Sequence, residues 1–166
     1  MVANRPLATP PVLAIPISRL PLGGMRGLAG RMQRRVQLQL LSAFAAATQS
    51  GDLDALTQLL ASDVRVVPDG GGKVRAALEV IDGADRVARF LVGVTRKHPG
   101  QWWGDDFTVR FATINGLPGV IVDAPEGPVQ TTTFEVEGDV IRALYVVRNP
   151  DKLRHLATAR HERGPG

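Results

Sequence analysis

The pentapeptide Asp69-Gly70-Gly71-Gly72-Lys73 is the first place in this 166-residue chain where residue types and spacing invite chemistry. Glycines between an acid and a base can cradle a phosphate. A P-loop, however, needs Ser or Thr after its lysine and a helix beyond. Val74 follows Lys73 and opens a strand-like stretch, so a P-loop is excluded. A hairpin turn with positive backbone dihedrals remains. Two glycines suffice for such a turn, and the third implies close packing of the backbone against a partner.

A second polar segment is Asn149-Pro150-Asp151-Lys152-Leu153. Asn149 can cap a helix, Pro150 fits the first helical position, and Asp151 suits the positive end of the macrodipole. Local structure accounts for most of this segment, and its exposed polar residues also make it an interaction candidate. Trp102-Trp103 carries a large apolar area with one donor on each ring, suited to the wall of a pocket. Thr132, Phe134 and Tyr145 lie on the last two expected strands and are expected to face that pocket. His98, His155 and His161 lack metal-ligand spacing, and Ser18, Ser42, Ser50 and Ser62 lie in no nucleophile motif. The chain has no cysteine, so neither a thiolate metal site nor a cysteine nucleophile exists. No metal and no cofactor is expected.

The elements that position these residues follow from periodicity. Val36, Leu40, Leu41, Phe44 and Thr48 give a helix stopped by Gly51; Asp52 caps a second, carrying Leu53, Leu56, Leu59 and Leu60. Val64 to Val67 reads as a strand, Asp69 to Lys73 as its turn, and Val74 to Ile81 as the returning strand. Val87, Phe90, Leu91 and Val94 mark a third helix. Strands follow at Phe107 to Ile114, Val120 to Val122, Val129 to Val136 and Val140 to Arg148, with Asn115-Gly116 as a tight hairpin turn. Asp151 to Ala159 reads as a short terminal helix. Helices first and antiparallel strands later imply an α+β domain: a curved antiparallel sheet with three helices across one face, forming a cone with a pocket.

Composition places this domain within the chain. Hydrophobic residues make up 44% and charged residues 22%, ordinary for one globular domain. Six of the 20 basic residues and none of the 16 acidic ones lie in residues 1–40, so the basic character belongs to the amino-terminal end and the remainder is mildly acidic. Such a body is a poor stand-alone nucleic-acid-binding domain. Residues 1–31 read as a disordered, basic, Pro/Gly-rich arm, residues 32–157 as the domain and residues 158–166 as a flexible tail. Apolar runs are too short for a transmembrane helix, and a cytoplasmic location without membrane contact is expected.

Ala43-Phe44-Ala45-Ala46-Ala47-Thr48-Gln49-Ser50-Gly51-Asp52-Leu53-Asp54-Ala55-Leu56, followed by Leu59-Leu60-Ala61-Ser62-Asp63-Val64, resembles the opening of the nuclear transport factor 2-like fold. SnoaL-type polyketide cyclases and ketosteroid isomerases share that fold. The Asp69–Lys73 and Asn149–Leu153 segments and the turn Asn115-Gly116-Leu117-Pro118-Gly119 narrow the match. Together they resemble the SnoaL-like carboxy-terminal extension of extracytoplasmic-function sigma factors. The resemblance runs from Met32 to Ala157. Residues 1–31 do not resemble the two promoter-binding regions of those sigma factors, so direct promoter binding is not carried over.

The resemblance implies a non-enzymatic regulatory domain. Asp69, Gly70, Gly71, Gly72, Lys73, Asn149, Pro150, Asp151 and Lys152 would contact sigma-factor core regions or RNA polymerase. Phe44, Trp102, Trp103, Thr132, Phe134 and Tyr145 would line a pocket for a small apolar ligand. The alternatives are a cyclase or isomerase and a ligand-binding module that forms a homodimer. A ketosteroid isomerase needs a carboxylate base and an oxyanion hole made by a tyrosine and a protonated aspartate. Asp69 stands at the base position, but Phe44 stands at the tyrosine and Thr132 at the second acid, so the donors are lost or weakened. A cyclase with one acid/base group would use Asp69 or Asp123. In an enzyme, apolar surroundings should raise the pKa of Asp69.

Overall fold

Leucine and alanine spacing carries the first helix, α1, across Leu28–Ser50, beginning four residues before Met32 and so inside the segment read as arm. A computed structural model describes residues 27–72, 79–97 and 106–161; Lys73, Trp102 and Trp103 lie outside the described residues. Gly51 ends α1 in the left-handed region, at φ 70°, with Asp52 N–H donating to the Ala47 carbonyl at 3.1 Å. Asp52 then caps α2 (Leu53–Leu59), its Oδ1 accepting from Ala55 N–H at 3.0 Å. The junction is locked from outside. Arg96 donates to the Ser50 carbonyl at 2.6 Å, placing a cation at the negative end of α1.

A Cβ added at Gly51 would meet the Arg96 guanidinium at 2.2 Å. Gly51→Ala is therefore expected to cost about 1–2 kcal/mol for the left-handed backbone alone, plus the displaced Arg96 bond. A urea-unfolding midpoint checks this, and an unchanged midpoint would contradict it.

The strands are β1 (Leu60–Asp69), β2 (Ile81–Asp82), β3 (Thr108–Ile114), β4 (Leu117–Ala124), β5 (Gly127–Glu137) and β6 (Val140–Val147). Helix α3 (Ala84–Lys97) separates β2 from β3, and α4 (Pro150–His161) closes the chain's described part. α4 thus runs past the boundary at 157, and Pro150 occupies its first position. Of the strand expected over Val74 to Ile81, residues 73–78 lie outside the described residues, Glu79 and Val80 are not strand, and only Ile81 enters β2. One curved, open sheet has the order β2-β1-β6-β5-β4-β3. Its pairs are antiparallel except that β1 runs parallel to β6, from Arg65 beside Ala143 to Asp69 beside Val147. Asn115 and Gly116, at φ 52° and 81°, make the two-residue turn between β3 and β4.

The core lies between the sheet and α1, α2 and α3. Leu41, Phe44, Leu56, Val64, Val66, Val87, Phe134, Ile141 and Leu144 are all buried there. Phe44 meets Phe134 edge to face, ring centroids 5.5 Å apart. Arg142 on β6 ties together its two neighbouring strands by donating to Asp63 of β1 at 2.7 Å and Glu137 of β5 at 2.6 Å.

Candidate functional site

The parallel β1–β6 pair brings the ends of both strands to one place. Asp69 ends β1, and Arg148 and Asn149 follow β6. The Asp69 carbonyl accepts both of their N–H groups, at 2.7 and 3.1 Å. Its carboxylate is engaged as well. Oδ1 accepts from Gly71 N–H at 3.0 Å, and Oδ2 accepts from Lys152 Nζ at 2.6 Å. Gly71 and Gly72 both hold positive φ, 60° and 69°. A Cβ at Gly71 would stand 2.4 Å from the Asn149 side chain, which in turn caps Asp151 N–H at 3.1 Å.

The two polar segments therefore form one clasp. Asp69, Gly70, Gly71 and Gly72 meet Asn149, Pro150, Asp151 and Lys152, and Leu153 anchors α4 as a buried residue. The close backbone approach expected of this glycine run is made at Gly71 and within the chain, to Asn149, whereas a Cβ at Gly72 would meet nothing within 4 Å. Local sequence pairs Lys152 with the adjacent Asp151; the fold instead gives it Asp69, 83 positions away, while Asp151 takes Arg154. Nothing in linear spacing signals that pair.

The hydrogen bond from Lys152 holds the Asp69 carboxyl below the usual carboxylate range; burial opposes this, and Gly71 N–H and the Asn149 side chain add to it. A depressed acid stabilises the fold above its unfolded value, near ~3.9, and that contribution is lost as pH falls through the lower folded value. Both side chains are partly exposed, 62% for Lys152 and 30% for Asp69, so the gain is about 0–1 kcal/mol. Lys152→Met should be less stable than the parent at pH 7, with the gap closing below about pH 3.9. Denaturant unfolding of both proteins across that range measures it, and a gap independent of pH would contradict the pairing.

Of the residues expected to line a pocket, Phe44, Thr132 and Phe134 share the helix-facing side of the sheet. Thr132 is buried and accepts from Gln130 Nε2 at 3.1 Å. Tyr145 departs from the expectation. It pairs with Thr133, whereas Phe134 pairs with Leu144 and Thr132 with Val146, so alternation turns Tyr145 to the opposite face. There its hydroxyl donates to Glu135 at 2.9 Å, and that bond holds the phenol above its usual pKa.

Asp123 is on that outer side too, 3% exposed, with Oδ2 accepting from Arg110 Nε at 2.6 Å and Oδ1 buried without a hydrogen bond. Alternation along β3 and β4 could have suggested this pair, because Arg110 lies opposite Ile121 and Asp123 is two residues on. Asp69 and Asp123 thus sit in separate environments and do not form a carboxylate dyad. Among the described residues, no group of three or more His, Cys, Asp or Glu could hold a metal ion, and no helix is long and apolar enough to cross a membrane.

The chain is 30% identical over 119 residues to the ECF RNA polymerase sigma factor SigJ of Mycobacterium tuberculosis, covering 69% of this chain and 38% of that one. The crystal structure of SigJ matches with a TM-score of 0.57 at 29% identity, over 75% of this chain and 47% of the solved one. The body is a SnoaL-like domain. This SnoaL-like domain spans less than half the length of the sigma factor it matches. A nuclear transport factor 2-like protein of unknown function from Cytophaga hutchinsonii is a more distant neighbour, 12% identical with a TM-score of 0.43, over 73% of this chain and 93% of that one. No family model matches the chain.

Proposed function

We propose that this SnoaL-like domain is a non-enzymatic regulatory module that works by docking on sigma-factor core regions or on RNA polymerase. The observation that carries the reading is the clasp. The two segments that resemble the sigma-factor extension most closely converge on one surface, and Asp69 at its centre is engaged on both carboxylate oxygens. An acid whose pKa is held down by a lysine is poorly suited to the general-base role that a cyclase or isomerase would ask of it. The resemblance to SigJ supports the partner class. In a two-state equilibrium, a clasp that contacts the partner in one arrangement only would favour that arrangement. A cytoplasmic location accompanies this reading.

The test is a titration of the full chain with a sigma-factor core or with polymerase, beside a melting curve. Lys152→Glu sets a carboxylate against Asp69 and reverses the charge shown to the partner. It is expected to lower stability by only about 1 kcal/mol, because the pair is exposed. Like charges across a docked interface cost several kcal/mol, so binding should fall by more than ~100-fold. Binding unaffected by Lys152→Glu, or absent in the parent protein, would overturn the docking reading. Turnover of a cyclase substrate that disappears in Asp69→Asn, or in an Asp123→Asn variant that melting shows to be folded, would establish the enzymatic alternative in its place.

A further inference from the structure

The outer side of α1 changes character along its length. From Gln39 onward the exposed positions are Gln39, Ala43, Ala46, Gln49 and Ser50, a small and polar face. Before Leu38 the same side carries Met32 and Val36, 62% and 48% exposed. They are two of the three large exposed apolar side chains among the described residues, and they lie four positions apart, one directly above the other on the helix. Arg31 and Arg35, also exposed and four apart, run beside them along one edge. No acidic residue precedes Asp52, so nothing on α1 itself neutralises that edge.

We propose that Met32, Val36, Arg31 and Arg35 form a docking strip for an acidic amphipathic helix of a partner protein. Each part of the strip selects this occupant. Two apolar side chains one turn apart form a ridge that packs into the groove of another helix. The arginine edge calls for glutamates or aspartates beside the partner's apolar seam. A second copy of the chain is disfavoured, because pairing two strips would bring their arginine edges together. A nucleic acid would engage the arginines but leave Met32 and Val36 against phosphates, with no apolar surface to cover them. The strip is separate from the clasp and does not depend on the sigma-factor reading.

The probe is a fluorescently labelled helical peptide with leucines at i and i+4 flanked by glutamates, titrated with the full-length chain and read by anisotropy. Binding is expected, with Met32→Ser/Val36→Ser and Arg31→Glu/Arg35→Glu each weakening it ~10-fold or more, as loss of central contacts does. Polyglutamate, which has charge but no apolar seam, should bind at least ~10-fold more weakly than the peptide. Asp69→Asn, which alters only the clasp, should leave peptide binding unchanged. All these positions are exposed except Asp69, and circular dichroism melting confirms that each variant is folded. Absence of peptide binding would overturn the strip, as would equal binding of polyglutamate or of a DNA duplex. Indifference to the Met32/Val36 variant, or a loss on Asp69→Asn, would overturn it as well.

Discussion

Arg110→Ala is expected to destabilise the SnoaL-like domain by about 3–5 kcal/mol, because it leaves a buried carboxylate without its cation. Asp123 is 3% exposed, while Arg110 reaches it from a position 43% exposed, so the acid carries nearly all the desolvation. Oδ1 has no hydrogen bond to fall back on. The loss should appear as a fall in melting temperature of roughly 6–20 °C, at ~2–4 °C per kcal/mol for a protein of this size. Replacing both residues, Arg110→Met with Asp123→Leu, should recover most of the stability, since a buried pair contributes little over well-packed apolar groups. A loss below about 1 kcal/mol in the single variant would place the pair among ordinary surface bridges.

Phe44→Ala is expected to cost a similar amount, about 3–5 kcal/mol. Phe44 is 7% exposed and sits where α1 crosses β5, its ring edge-on to Phe134 at 5.5 Å. Truncation removes the transfer free energy of the ring and leaves a cavity beside Phe134 in the core that also holds Leu41, Leu56 and Leu144. Chemical denaturation should show the lower stability with an unchanged slope, the mark of a folded state that keeps its shape. Phe44→Leu should recover part of the loss by refilling the space. If Phe44→Ala were as stable as the parent, the ring would be lining an open pocket instead of filling the core.

Most secondary elements were legible in the chain because their signals are local. Gly51 and Asp52 mark the α1–α2 break by backbone conformation and capping, and both act there in the folded protein. Asn115-Gly116 specifies its hairpin because both residues accept positive φ. Leu28 to Arg31 were harder to read. With Gly27 before them, Gly30 among them and no side-chain cap, little in that stretch announces a helix start.

The candidate site was legible by segment but not by contact. Asp69–Lys73 and Asn149–Leu153 each stand out by composition, yet linear spacing cannot show that they meet. That follows from the parallel pairing of β1 with β6, which sets Asp69 beside Val147 and so delivers Lys152 to the Asp69 carboxylate. The face of Tyr145 was likewise a matter of register. A period of two sends it away from Phe134's row once Phe134 pairs with Leu144, and an apolar strand sequence does not reveal that pairing. Asp123 borders a Pro/Gly-rich stretch, and the sequence offers it as a candidate acid/base group. The fold leaves it only 3% exposed, and Arg110, diagonally across the β3–β4 pair, supplies the cation that makes that burial tolerable. Helix caps, turns and amphipathic periods are decided within a few residues, so the sequence by itself determined them. Which charges pair and which face a side chain takes depend on strand register between distant segments, and the tertiary structure alone decided those.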